Sequence, residues 1–158
     1  MKYRLRAVTA LFALGLFVSC SGSARTEWSS TSPRINLTHV FHGEINKQGK
    51  PVGFHSRPGG VDPADAGLHE RIQGPNRKDV YMARIWVREK DKAKISTIFP
   101  DSMKKDDVIN AILHAFNNKT YFKAYKFVGP SGRGFNIEGF VLDNGDINTA
   151  YPVYREER

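Results

Sequence analysis

A single cysteine, Cys20, stands in this chain of 158 residues, and it follows directly on an apolar run. Lys2, Arg4 and Arg6 lead into that run, Ala7 to Val18, and together they have the pattern of a secretory signal peptide over residues 1–19. The run is shorter than the roughly 20 apolar residues that cross a bilayer, and no other segment comes close. A chain exported with one thiol can close no internal disulfide, so its domain must be held by core packing alone. Its length suits one domain with a real core rather than two.

Leu16-Phe17-Val18-Ser19-Cys20, followed by Ser21-Gly22-Ser23, resembles a bacterial lipoprotein signal, in which the cysteine becomes the lipidated N-terminus. The expected location is then the cell envelope or beyond it: secreted, or anchored to the membrane through lipid on Cys20. A lipidated Cys20 also removes cysteine catalysis from consideration. The full chain carries 24 Lys and Arg against 16 Asp and Glu, a formal net charge of +8. Three of those basic residues and no acidic ones lie in residues 1–19, which leaves 21 against 16, or +5, beyond them. A basic surplus favours polyanionic partners such as nucleic acid or acidic lipid, and it is also common on merely soluble surfaces.

Ser21 to Arg34 is rich in Ser, Thr and Arg, a composition that buries little, and reads as a flexible tether over residues 20–34. The folded domain is expected over residues 35–158. Gly49-Lys50-Pro51, Arg57-Pro58-Gly59-Gly60 and Gly74-Pro75-Asn76 punctuate its first half, so elements there should be short and joined by loops. Val80 to Val87 is rich in β-branched and aromatic residues and reads as a strand, with Glu89-Lys90-Asp91 as a turn into a second strand at about Lys92 to Phe99. Ser102 is a candidate N-cap for a helix in which Val108, Ile109, Ile112, Leu113 and Phe116 recur at helical spacing, ending at Asn117-Asn118. Phe135 to Leu142, Asp143-Asn144-Gly145-Asp146 and Ile147 to Tyr154 read as a hairpin, with Ile147, Thr149, Tyr151 and Val153 on one face. Strands on both sides of a helix predict an α+β domain, mainly antiparallel sheet packed with helices.

The chemistry must come from the five histidines and their neighbours. His114 falls off the apolar stripe of its helix and His69 lies in a polar loop, so both read as surface residues. In Thr38-His39-Val40-Phe41-His42-Gly43-Glu44 two histidines stand three apart, a spacing that could ligate a metal from a helix. Gly43 and Val40 favour a short strand or turn instead, and further ligands are not evident, so no metal site is assigned. Gly129-Pro130-Ser131-Gly132-Arg133-Gly134 reads as a flexible basic loop without the lysine of a P-loop.

His39-Val40-Phe41-His42-Gly43-Glu44 followed by Val52-Gly53-Phe54-His55 is similar to the two-histidine signature of EndoU endoribonucleases. Gly145-Asp146-Ile147-Asn148-Thr149-Ala150-Tyr151-Pro152 resembles that family's terminal hairpin and its Thr-Ala-Tyr-Pro motif. Ile95-Ser96-Thr97-Ile98-Phe99-Pro100-Asp101-Ser102, followed by a helix, resembles the bacterial branch. The resemblance runs through essentially the whole domain in the same order. It implies cleavage of single-stranded RNA, with a preference for uridylates, by attack of the ribose 2′-OH to leave a 2′,3′-cyclic phosphate. It leaves open whether that cleavage is metal-independent or metal-assisted: no cofactor is required, and stimulation by Mn2+ stays open.

Such an attack needs a base, an acid and a cation, and two imidazoles with a lysine suit those roles at neutral pH. By resemblance His55 is the base and His39 the acid, an order the residues alone do not fix. Glu44 would orient a histidine or nearby backbone; the glutamate that often precedes the first histidine in the family is here Thr38. Lys92 and Lys94 share the strand face of Ser96, and either could be the cation. Tyr151 offers a ring for stacking and Thr149 a hydroxyl for the uracil edge, with Ser96 or Thr97 as further base contacts. The implied partners are RNA and, for a secreted toxin effector, an immunity protein. Two other readings compete. One is a catalytically idle, lipid-anchored RNA-binding protein of the same fold, and the other is a metal-dependent hydrolase using His39 and His42.

Overall fold

The structure, a computed structural model, describes residues 26–156. The signal-peptide and lipidation expectations, residues 1–19 and Cys20, lie outside the described residues. Along the chain the elements are α1 (Leu37–Phe41), β1 (Glu44–Ile45), β2 (Pro51–Val52), β3 (Ala66–Gln73), β4 (Tyr81–Val87), β5 (Glu89–Ile98), α2 (Lys105–Asn117), β6 (Tyr121–Lys123), β7 (Lys126–Pro130), β8 (Asn136–Val141) and β9 (Ile147–Pro152). They form a β1-β2 pair, a three-stranded β3-β4-β5 sheet and a four-stranded β6-β7-β8-β9 sheet, with every ladder antiparallel. The expected α+β class is what the chain adopts.

Two apolar clusters hold these sheets. Along β4, Tyr81, Ala83, Ile85 and Val87 alternate inward and meet Phe54, Ala66 and Ile98. The other cluster joins Val108, Ala111, Ile112 and Ala115 of α2 to Ile35 and Val40 near α1, and to Phe127, Ile137, Ile147 and Ala150 of the larger sheet. The helix lies very close to β7, because a Cβ on Gly129 would stand 2.0 Å from the Ala115 carbonyl oxygen. Only a glycine allows that approach.

Several sequence expectations are corrected. Residues 27–34, read as tether, are bound to the domain: Ser29 is buried, its N–H donates to the Ile35 carbonyl, and Leu37 N–H donates to Glu27 O. Arg34 pairs with the Asp146 carboxylate. Backbone pairing fixes this stretch where its side chains alone would not. α2 begins after Lys104 rather than at Ser102, since the Asp107 carboxylate accepts the free Lys104 N–H at 3.0 Å. The β4-β5 turn falls at Arg88, with φ +64°, and not at Glu89-Lys90-Asp91, which belong to β5. His69 lies in β3 rather than in a loop, and Gly129-Pro130 end β7.

The β8-β9 hairpin is present, but its face is not uniform. Phe140 pairs with Thr149 and Val141 with Ile147, so Asn148 is an extra residue on β9. That bulge turns Ile147 into the core beside Ala150 and leaves Thr149 and Tyr151 on the opposite face.

Candidate active site

His39 is carried by a helix, where the sequence suggested a strand or turn. Asn36 starts it, its side-chain oxygen accepting the His39 backbone N–H at 2.9 Å. A five-residue helix is not stable by itself. Burial of Leu37, Val40 and Phe41 holds it in place.

His55 follows a turn that requires glycine at position 53. Gly53 (φ +74°) and Phe54 (φ +58°) are both left-handed, and a Cβ on Gly53 would lie 2.3 Å from the His39 carbonyl oxygen. The contact that excludes a side chain is also the one that joins the two segments. Phe54 N–H donates to His39 O and His55 N–H to Val40 O, both at 2.7 Å, while Phe99 N–H donates to His55 O at 2.8 Å. The imidazole centroids of His39 and His55 are 6.1 Å apart.

Hydrogen-bond partners fix which nitrogen of His55 carries its proton. Nδ1 lies 3.0 Å from the Thr97 carbonyl oxygen and 2.9 Å from Ser96 Oγ. A carbonyl can only accept, so Nδ1 is the protonated nitrogen of the neutral ring and Nε2 presents a lone pair. Ser96 Oγ gives its own proton to Phe54 O at 2.9 Å and can accept from His55. Burial holds His55 well below the ordinary histidine range, and the positive charges of Lys94 and His39 push in the same direction.

His39 has the opposite kind of partner. Its Nδ1 is 3.0 Å from Glu44 Oε1, which also accepts from Asn36 Nδ2 at 3.3 Å. The bond from His39 holds the Glu44 carboxyl below its usual range, so this partner is an anion at neutral pH. Asn36 Nδ2 also reaches Asn148 Oδ1 at 3.2 Å and so ties the site to the β9 bulge.

The structure separates the two candidate lysines. Lys94 Nζ donates to the Gly53 carbonyl at 3.0 Å, within the His55 turn, and burial brings its ammonium down to about 8. Lys92 pairs with Glu89 at 2.9 Å. Tyr151 completes the cluster, with its ring centroid 5.1 Å from that of His55. Its hydroxyl donates to Glu138, whose other oxygen meets Lys126 Nζ at 2.8 Å, and burial with that carboxylate raises the phenol pKa. Thr149 shares the face of Tyr151, and its Oγ1 is buried with no hydrogen-bond partner among the described residues.

The Ser96 hydroxyl and the Thr97 carbonyl stand behind His55. Both contacts of the Ser96 hydroxyl are internal, and Thr97 offers its backbone carbonyl while its side chain faces away from that of Ser96. His39 and His42 engage different carboxylates, Glu44 and Asp65, each at 3.0 Å. His69 and His114 are exposed, on β3 and α2. Among the described residues no group of three or more His, Cys, Asp or Glu is placed to hold a metal, and no helix is long and apolar enough to cross a membrane.

Sequence reasoning missed Asn36, Asn148 and Glu138. Asn148 adjoins Thr149 in the terminal motif, which is a usable signal; Asn36 and Glu138 are reached only through the fold.

The sequence matches the family described as Bacterial EndoU nuclease over residues 33–154. A curated relative from Bacillus cereus, named Toxin, is 30% identical over 125 residues, an alignment that takes in 74% of this chain and 22% of the relative. The chain thus spans about a fifth of that protein's length. No solved structure matches it. With a family match over most of its length and the paired histidines in place, this chain belongs to the bacterial EndoU nuclease family.

Proposed function

We propose that this protein is an endoribonuclease that cleaves single-stranded RNA at uridylates by 2′-OH attack on the adjacent phosphate. The observation that carries the reading is the pairing of two imidazoles 6.1 Å apart with unlike partners, a carbonyl behind one and a carboxylate behind the other. His55 Nε2 takes the 2′-OH proton as the 2′-oxygen bonds to phosphorus. The Lys94 ammonium offsets the negative charge that builds on the phosphoryl oxygens. The bond to the 5′-oxygen breaks, and that oxygen takes a proton from His39 Nε2 while Glu44 holds the ring through Nδ1. The products are a 2′,3′-cyclic phosphate and a 5′-hydroxyl. Proton exchange with solvent water, His55 giving up the proton it gained and His39 taking one up, returns the two rings to their starting states.

Tyr151 supplies a flat ring beside His55 for the base or sugar, a contact typically worth about 1–3 kcal/mol per stacked base. The unpartnered Thr149 Oγ1 is a hydrogen-bonding group for the uracil edge. Ser96 and Thr97 act through His55. The name of the Bacillus cereus relative supports a toxin effector, for which an immunity protein is the expected partner. Export, with or without a lipid on Cys20, would deliver it.

The test is incubation of the purified domain with short RNAs that differ at one uridine, in EDTA and with added Mn2+, followed by end-group analysis. Cleavage at the uridine with a cyclic-phosphate end, in EDTA, is the expected result. No cleavage, cleavage independent of the uridine, or activity abolished by EDTA with linear phosphate ends would overturn it.

A further inference from the structure

The four-stranded sheet has one face covered by α2; its other face meets His55 at the β9 end and opens to solvent toward β6, where Tyr121 and Lys123 are exposed, and the register assigns each residue to a face. Residues directly opposite across a ladder share a face. Ala150, Gly139 and Phe127 form one such row, on the core side. The neighbouring rows therefore lie on the open side. One runs Thr149, Phe140, Lys126, Lys123; the next runs Tyr151, Glu138, Val128, Tyr121. Both rows begin at the two residues assigned above to base binding and end at the sheet edge, β6. Three strand spacings separate their ends, about 14 Å.

The side chains along these rows are unusual for a solvated sheet face. Phe140 is 36% exposed and Tyr121 47% exposed, and each stands beside a lysine. Lys123 is exposed, and its ammonium has no hydrogen-bond or ion-pair partner among the described residues. The one carboxylate in the rows, Glu138, is occupied by Lys126 and the Tyr151 hydroxyl. Rings interleaved with cations, continuous with a nuclease site, match a single strand whose bases stack while its phosphates meet positive charge.

We infer that the open face of β6-β9 is a track for the RNA nucleotides flanking the scissile one, with Phe140 and Tyr121 as stacking platforms and Lys123 as a phosphate contact. The inference rests on the RNA-cleaving reading above, and the substrates are chosen to keep the two apart. The dinucleotide uridylyl-3′,5′-adenosine reaches only the catalytic cleft. A ten-nucleotide RNA with one central uridine reaches the track.

In the full domain, the Phe140→Ala/Tyr121→Ala pair should lower kcat/KM on the ten-nucleotide RNA roughly fivefold or more for each ring removed. It should leave the dinucleotide within about twofold, and melting curves check that the fold is kept. Lys123→Ala should reduce the salt dependence of kcat/KM on the long substrate only. Equal losses on both substrates would overturn the track, because the substitutions would then act through the cleft. No loss on either would also overturn it and would leave this face to a protein partner. A wild-type protein that cleaves neither substrate would overturn the nuclease reading itself, and the track with it.

Discussion

The helix that carries His39 and the turn that carries His55 are joined backbone to backbone, yet they give their imidazoles opposite surroundings. His39 faces an anion, Glu44, held by an asparagine that also caps the helix. His55 is buried against a backbone carbonyl and a serine hydroxyl, with an ammonium nearby. A carboxylate gives a charged imidazolium its counter-charge, whereas burial beside a cation favours the neutral ring. One fold thus gives two residues of the same type, 6.1 Å apart, unlike surroundings, and the proposed division into acid and base rests on that difference.

The largest effects should come from removing either ring. His39→Ala and His55→Ala should each lower kcat on a uridine-containing RNA by about 10²–10⁴-fold in single-turnover cleavage, with thermal unfolding used to confirm that each variant is folded at the assay temperature. Activity near wild type in either variant would break the pairing. Lys94→Met should cost about 10²–10³-fold, while Lys92→Met should stay within about twofold, because only Lys94 enters the cluster. The same contrast sets the alkaline side of the pH profile. If the charged Lys94 is the active form, kcat/KM falls above about 8 in the wild type.

Glu44→Gln keeps a hydrogen-bond acceptor on His39 but removes the negative charge. A loss of about tenfold in kcat, equivalent to about 1.4 kcal/mol, is expected, with a smaller change in KM. The smallest effect concerns stability. His55 binds its proton less readily folded than unfolded, so the unfolded chain takes up more protons once the pH drops below about 6.5. Stability contributed by the neutral, buried ring is therefore complete above that pH. It is lost on acidification, with a limiting slope of about 1.4 kcal/mol per pH unit, down to the folded-state value. His55→Asn should flatten that part of the pH–stability curve.

What the sequence revealed of this arrangement depended on how local each signal was. The β4 strand, α2 and the β8-β9 hairpin are written in alternation, helical spacing and an Asp-Asn-Gly-Asp turn, and all three are present. α1 was missed because five residues carry no helical period; Asn36 and burial make the helix. β3 was missed because most of it is exposed and polar, and pairing with β4 rather than composition makes it a strand. Residues 27–34 carry no local signal for the same reason: their backbone bonds lead to partners as distant as Ile147, whose N–H donates to the Arg34 carbonyl. In the site, His39 and His55 could be picked out from their neighbours. The choice of Lys94 over Lys92 needed the carbonyl of Gly53, and the tautomer of His55 needed the carbonyl of Thr97, neither of which is close in sequence.

The division of labour between the two histidines is tested most directly with an RNA whose scissile 5′-oxygen is replaced by sulfur. A thiolate leaves without being protonated, so this substrate no longer needs an acid but still needs a base. His39→Ala should cleave it at close to the wild-type rate, and His55→Ala should remain as impaired as on the natural RNA. Rescue of His55→Ala instead, or of neither variant, would contradict the assignment of His55 as base and His39 as acid.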